Sequence, residues 1–92
     1  MKRSDIISKM RKTLRESGVK KAYLFGSFAR GEKEFHDIDI AIVPPAGNFS
    51  LLDLVGLEQK ISGQVHRKID LITLRSLSPY VLPYVKKDLV AL

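Results

Sequence analysis

Residues 37–43 read Asp-Ile-Asp-Ile-Ala-Ile-Val, an alternation with the period of a β-strand. Asp37, Asp39 and Ala41 fall on one face, and Ile38, Ile40 and Ile42 on the other. Three isoleucines in a row on one side require a hydrophobic cover, so helices are expected to pack against that face. Pro44-Pro45 then removes two backbone donors and stops the strand.

The flanking segments supply what such a strand needs. Lys20 to Phe25 predicts a second strand, with Ala22 and Leu24 on one side and Tyr23 and Phe25 on the other. Val65 to Thr73 predicts a third, with Lys68, Asp70 and Ile72 sharing a face. A helix capped by Ser4 and stopped at Gly18 carries Ile6, Ile7, Met10 and Leu14 at helical spacing. A second, started by Ser50 with Asp53 three residues on and closed by Gly63, would bury Leu51, Leu54, Val55, Leu57 and Ile61. A kinked helix from about Pro79 to Lys87 and an edge strand over Leu89 to Leu92 complete the chain. The expected class is α/β (α+β), a small mixed β-sheet with helices packed mainly on one face. Without repeats, low-complexity tracts or linkers, residues 1–92 are expected to form one domain, burying roughly 60 to 65% of the unfolded surface.

The chemistry lies on the acidic face. Residues i and i+2 of a strand sit roughly 6.5 to 7 Å apart on the same side, so Asp37 and Asp39 can share divalent ions held about 3.5 to 4 Å apart. Two such carboxylates at the end of an apolar strand repel, and are costly to desolvate without a cation. Asp70 adds a third acid within another apolar strand. Upstream, Gly26-Ser27 follows a strand directly. Glycine lets the backbone approach an anion, and the Ser27 hydroxyl with the following N–H groups can bind phosphate. Arg30 is a further candidate for nucleotide binding, with a surface ion pair to Glu32 as the competing reading.

Gly26-Ser27, then Arg30-Gly31-Glu32, then the Asp37-Ile38-Asp39 strand, then Asp70 reproduce in order the pattern of the nucleotidyltransferase superfamily that includes DNA polymerase beta. The chain resembles its minimal single-domain members over roughly residues 19 to 92. It departs from the pattern in a slightly shorter connecting loop and in His36, which stands where a serine is usual. The resemblance implies a polymerase beta palm-like fold. It also implies catalytic and metal roles for Asp37, Asp39 and Asp70, with two magnesium ions and ATP as substrate. Gly26 and Ser27 would hold the terminal phosphates, and Asp70 would help deprotonate the attacking hydroxyl.

Composition narrows the rest. With no cysteine, disulfides and thiolate metal sites are excluded, leaving oxygen ligands that suit magnesium or manganese. No apolar run approaches the ~18 residues of a membrane span and no signal-peptide core is visible, so the expected location is the cytoplasm, away from membranes. The net charge of +6 is concentrated early: residues 1–33 hold ten Lys or Arg against three Asp or Glu. That surface suits polyphosphate, nucleic acid or an acidic partner, or is simply a solvated helix face.

By resemblance, minimal members of this kind are commonly antitoxins that AMPylate a tyrosine of a small helical HEPN-type ribonuclease toxin. AMP transfer from ATP to a partner hydroxyl is therefore the leading expectation. A non-catalytic steric antitoxin or binding module on the same fold, and a small nucleic-acid-binding protein, are the alternatives. His36 fits a proton shuttle or an ordinary loop residue, and His66 is expected to face solvent. Tyr80 and Tyr84 read as core or interface aromatics, and as a partner surface if exposed.

Overall fold

A computed structural model describes residues 1–35 and 37–92 of the chain. The elements run α1 (Arg3–Glu16), β1 (Lys21–Phe25), α2 (Gly26–Ala29), β2 (Asp37–Val43), α3 (Leu51–Val65), β3 (Lys68–Thr73), a 3-10 turn (Leu74–Ser76), α4 (Leu82–Lys86) and β4 (Val90–Ala91). The strands form one mixed sheet in the order β3-β2-β1-β4. β1 pairs antiparallel with both β2 and β4, whereas β2 and β3 run parallel, joined by the α3 crossover.

The core lies on the isoleucine face of β2. Ile38, Ile40 and Ile42 are fully buried, in one cluster with Ala22 and Leu24 of β1 and Ile69 and Leu71 of β3. Ile6, Met10 and Leu14 of α1 and Leu57, Ile61 and Val65 of α3 close over them. Thr13, a buried polar residue, directs its hydroxyl to Gln64 Oε1, tying α1 to α3. No helix among the described residues is long and apolar enough to cross a membrane.

Several boundaries differ from the sequence expectation. α1 starts ahead of Ser4, because the Lys2 N–H donates to the Asp5 carboxylate at 3.2 Å and fixes the first turn there. The box at Ser50 forms: the Asp53 N–H donates to Ser50 Oγ at 3.2 Å, and the Ser50 N–H to Asp53 Oδ2 at 2.8 Å. Yet α3 passes through Gly63, since two more residues bring Val65 into the core, and His66 ends the helix at φ 54°. His66 is exposed, as expected. The inward stripe of α3 is Leu57, Ile61 and Val65 with Leu54 beside it, whereas Leu51 and Val55 are exposed. β3 begins at Lys68 rather than Val65 for the same reason. The last helix is shorter than expected, with Pro83 in its first turn where a missing N–H costs least.

Candidate active site

β2 and β3 place the acids by register. The parallel pairing sets Asp39 beside Asp70 and Asp37 beside Lys68, and directly paired residues project to the same side. All three acids therefore share the face opposite the core. Lys68 Nζ lies 3.9 Å from Asp37 Oδ2, a contact that required the parallel register and so was not readable from sequence. His36, the residue preceding Asp37, lies outside the described residues.

β1 brings in the turn from the other side. Phe25 pairs with Asp39, so the chain leaves β1 beside the central carboxylate and enters α2 at Gly26. Gly26 has φ 75°, a conformation that L side chains rarely adopt. A Cβ there would overlap the Asp39 carboxylate oxygen and lie 3.3 Å from its Cγ. Glycine is thus required twice, by the backbone and by the approach of the acid. Ser27 follows, and its carbonyl accepts from the Glu32 N–H at 3.1 Å. Phe28 anchors α2: it is buried, packs edge-on against Phe35 at 4.8 Å, and carries the Arg3 guanidinium over its ring at 4.2 Å. Part of the basic first third is therefore committed to holding this turn in place.

Electrostatics single out Asp39. Burial pushes its carboxyl above the ordinary value of 3.8, and the neighbouring charges of Asp70 and Asp37 push it further, with Arg30 opposing. The Arg30 guanidinium bonds Glu32 at 2.8 Å and Asp88 at 2.9 Å, and these partners raise its own pKa. Here the ion-pair reading of Arg30 and Glu32 is realised, with an additional partner 58 residues away.

The acids spread along a shared face, and among the described residues no three His, Cys, Asp or Glu side chains are gathered closely enough to hold a metal ion as they stand. Their chemistry nonetheless suits a hard divalent cation: all donors are carboxylate oxygens, and burial together with the charges of Asp70 and Asp37 raises the Asp39 carboxyl. A cavity of about 610 Å³ lies elsewhere, at the far end of β2 between Val43, Pro44, Phe49, Leu74 and Leu82.

The nucleotidyltransferase domain model matches residues 7–92. The chain belongs to that family. A protein of Methanocaldococcus jannaschii named as a candidate protein adenylyltransferase is 42% identical over 89 residues, covering 94% of this chain and 90% of the relative. Among solved structures, a toxin-antitoxin crystal structure with AMP-PNP matches at 30% identity and TM-score 0.76, over 91% of this chain and 69% of that one. A complex of tri-AMPylated Shewanella oneidensis HEPN toxin with MNT antitoxin matches at 27% identity and TM-score 0.76, over 98% and 71%. The nucleotidyltransferase family and palm-like fold expected from the sequence motifs are thereby established.

Proposed function

We propose that this chain is a minimal, single-domain adenylyltransferase that moves AMP from ATP to a tyrosine hydroxyl of a partner protein, a HEPN-type ribonuclease toxin that it neutralises in the cytoplasm. The observation that carries this reading is the apposition of Gly26, Asp39 and Asp70: a turn that admits a phosphate chain, against a carboxylate that also faces a second strand's acid. The relative named for adenylyltransfer and the solved complex with an AMPylated toxin support the same donor and acceptor.

In this reading Gly26 and Ser27 hold the terminal phosphates, and Asp37, Asp39 and Asp70 are the residues that would hold magnesium. The bound metal supplies positive charge to the triphosphate and to the developing transition state. Asp70, on the exposed edge of the trio, accepts the proton of the attacking hydroxyl. A bond forms from the acceptor oxygen to the α-phosphorus, and the bond from that phosphorus to pyrophosphate breaks. Arg30 is proposed to bind nucleotide by exchanging one carboxylate partner for a phosphate, which its planar fork accommodates.

Two measurements test the proposal. ATP with magnesium should raise the melting temperature and ATP with a chelator should not, the gain at ligand near 100 times its dissociation constant being about 2.7 kcal/mol. Intact-mass spectrometry of the toxin after incubation with ATP, magnesium and this protein should show discrete AMP increments, absent with Asp37→Asn. A toxin that is silenced in a tight complex without any change of mass would identify a steric antitoxin instead.

A further inference from the structure

Two exposed apolar surfaces lie outside the site. Tyr80 and Tyr84 are exposed rather than core, and they share no helix face because Tyr80 precedes α4 and only Tyr84 lies within it. The outer side of α3 is more regular. Leu51 is 74% and Leu52 82% exposed in its first turn, and Val55 stands exposed beside them. At 3.6 residues per turn, Leu52, Gly56, Gln59 and Gly63 fall opposite the buried Leu57, Ile61 and Val65, and all four are exposed. A Cβ at Gly56 or Gly63 would meet nothing within 4 Å among the described residues. No contact within the chain therefore calls for glycine at either position, although glycine weakens a helix relative to alanine.

Charge on this side of α3 is balanced and arranged. Of the three charged side chains of the helix, Glu58 turns to the sheet and accepts from the Leu71 N–H at 3.0 Å. That leaves Asp53 and Lys60, exposed, opposite in sign and seven residues apart, hence on one flank and about 10 Å apart along the helix. Two copies of α3 related by a two-fold axis perpendicular to them run antiparallel. An axis midway between these residues sets Asp53 of each beside Lys60 of the other. The same axis passes Gly56, so the two backbones meet where neither carries a side chain, and Leu52 of each lies over Gln59 and Gly63 of the other. Lys60 forms no ion pair with the described residues of its own chain, so its ammonium is available for this contact.

We propose that the outer face of α3 is a homodimer interface, covered by α3 of a second copy in this antiparallel, two-fold arrangement. Two considerations select the second copy. Asp53 and Lys60 cancel on this face, whereas each chain carries a net charge of +6, so identical chains repel least when they meet here. α3 also packs on the isoleucine side of the sheet, opposite the acids, so a partner that presents a hydroxyl to Asp39 and Asp70 occupies the other face. In the dimer both acidic faces point outward, and each stays open to such a partner.

Sedimentation equilibrium of the full chain tests this. One helix pair lies at the small end of specific interfaces, so a dissociation constant on the order of 10 to 100 µM is expected. Leu52→Glu alters a side chain outside the core, so the diluted monomer should melt near the wild-type temperature. Its buried, unpaired carboxylate should weaken association by about a hundredfold or more. Gly56→Ala should raise the melting temperature of the monomer, because alanine favours helix, yet weaken the dimer about tenfold by forcing the backbones apart. Lys60→Glu, which sets two acids side by side, should also weaken it about tenfold. A chain still monomeric at ~1 mM, or a dimer that Leu52→Glu or Gly56→Ala leaves intact, would overturn the proposal. If the chain is monomeric and Leu52→Glu instead releases a HEPN-type toxin, the face belongs to that partner and the proposal fails as well.

Discussion

The two faces of β2 share one backbone and serve opposite ends. On one side Ile38, Ile40 and Ile42 are fully buried and supply the centre of the core. On the other, Asp37 and Asp39 remain half-exposed, and Asp39 is held in a state its surroundings disfavour. The isoleucines each contribute about 1.5 to 3 kcal/mol by leaving water, whereas the acids carry the cost of like charges gathered in partial burial. Because side chains alternate, each face can be altered with little direct effect on the other. Folding and chemistry are separated here by parity along a single strand.

The largest expected effect tests that separation directly. Ile40→Ala should lower stability by about 2 to 5 kcal/mol through lost burial and the cavity left behind, seen as a fall in the urea midpoint. In conditions where the variant is still folded, its gain in stability from ATP with magnesium should match that of the wild type. A folded variant with no response to nucleotide would show that the faces are coupled after all.

Gly26→Ala sharpens the comparison at the point where turn and acid meet. The positive φ alone makes alanine cost about 1 kcal/mol or more, and the added methyl must displace the Asp39 carboxylate. We expect a stability loss of about 1 to 2 kcal/mol, smaller than that of Ile40→Ala. Unlike Ile40→Ala, the variant should no longer be stabilised by ATP with magnesium, as a thermal melt in both conditions would show. A variant that retains full nucleotide stabilisation would mean that the turn and the acid act independently.

Much of this division was legible in the sequence, because period-two alternation is a local property. Residues 37–43 declare both faces of β2 and the proline stop, and Ser50 with Asp53 declares the start of α3. What escaped was set by distant partners. Gly63 is a reasonable helix stop in isolation, but the burial of Val65 outweighs it. Leu51 and Val55 fit an apolar stripe by spacing, yet the sheet meets the turn of α3 that carries Leu57 and Ile61, leaving both of them outside. The partnership of Arg30 with Asp88 and that of Lys68 with Asp37 depend on how remote segments meet, which no local pattern encodes. The acids were legible as a set, since charged residues in apolar strands stand out. Their relative placement came only with the parallel register of β2 and β3.

The smallest expected effect tests the acidic face by its pH dependence. In the folded protein the Asp39 carboxyl lies above its ordinary value of 3.8, so the folded state holds that proton more firmly than the unfolded chain does. Protonation therefore favours folding between 3.8 and the raised value, and above the raised value the full penalty of the ionised acid is in place. Asp39→Asn removes the charge while keeping the shape. At pH 7 the variant should be more stable than the wild type by about 0.5 kcal/mol, a magnitude suited to partly exposed like charges. The difference should shrink as the pH falls through the raised value and vanish below 3.8, as urea melts across the acid range would show. Adding magnesium and ATP at neutral pH should reverse the order, because the wild type then gains a ligand that the variant holds poorly. A variant less stable than the wild type at pH 7 without ligand would mean that Asp39 serves the fold, and the contrast between the two faces of β2 would break.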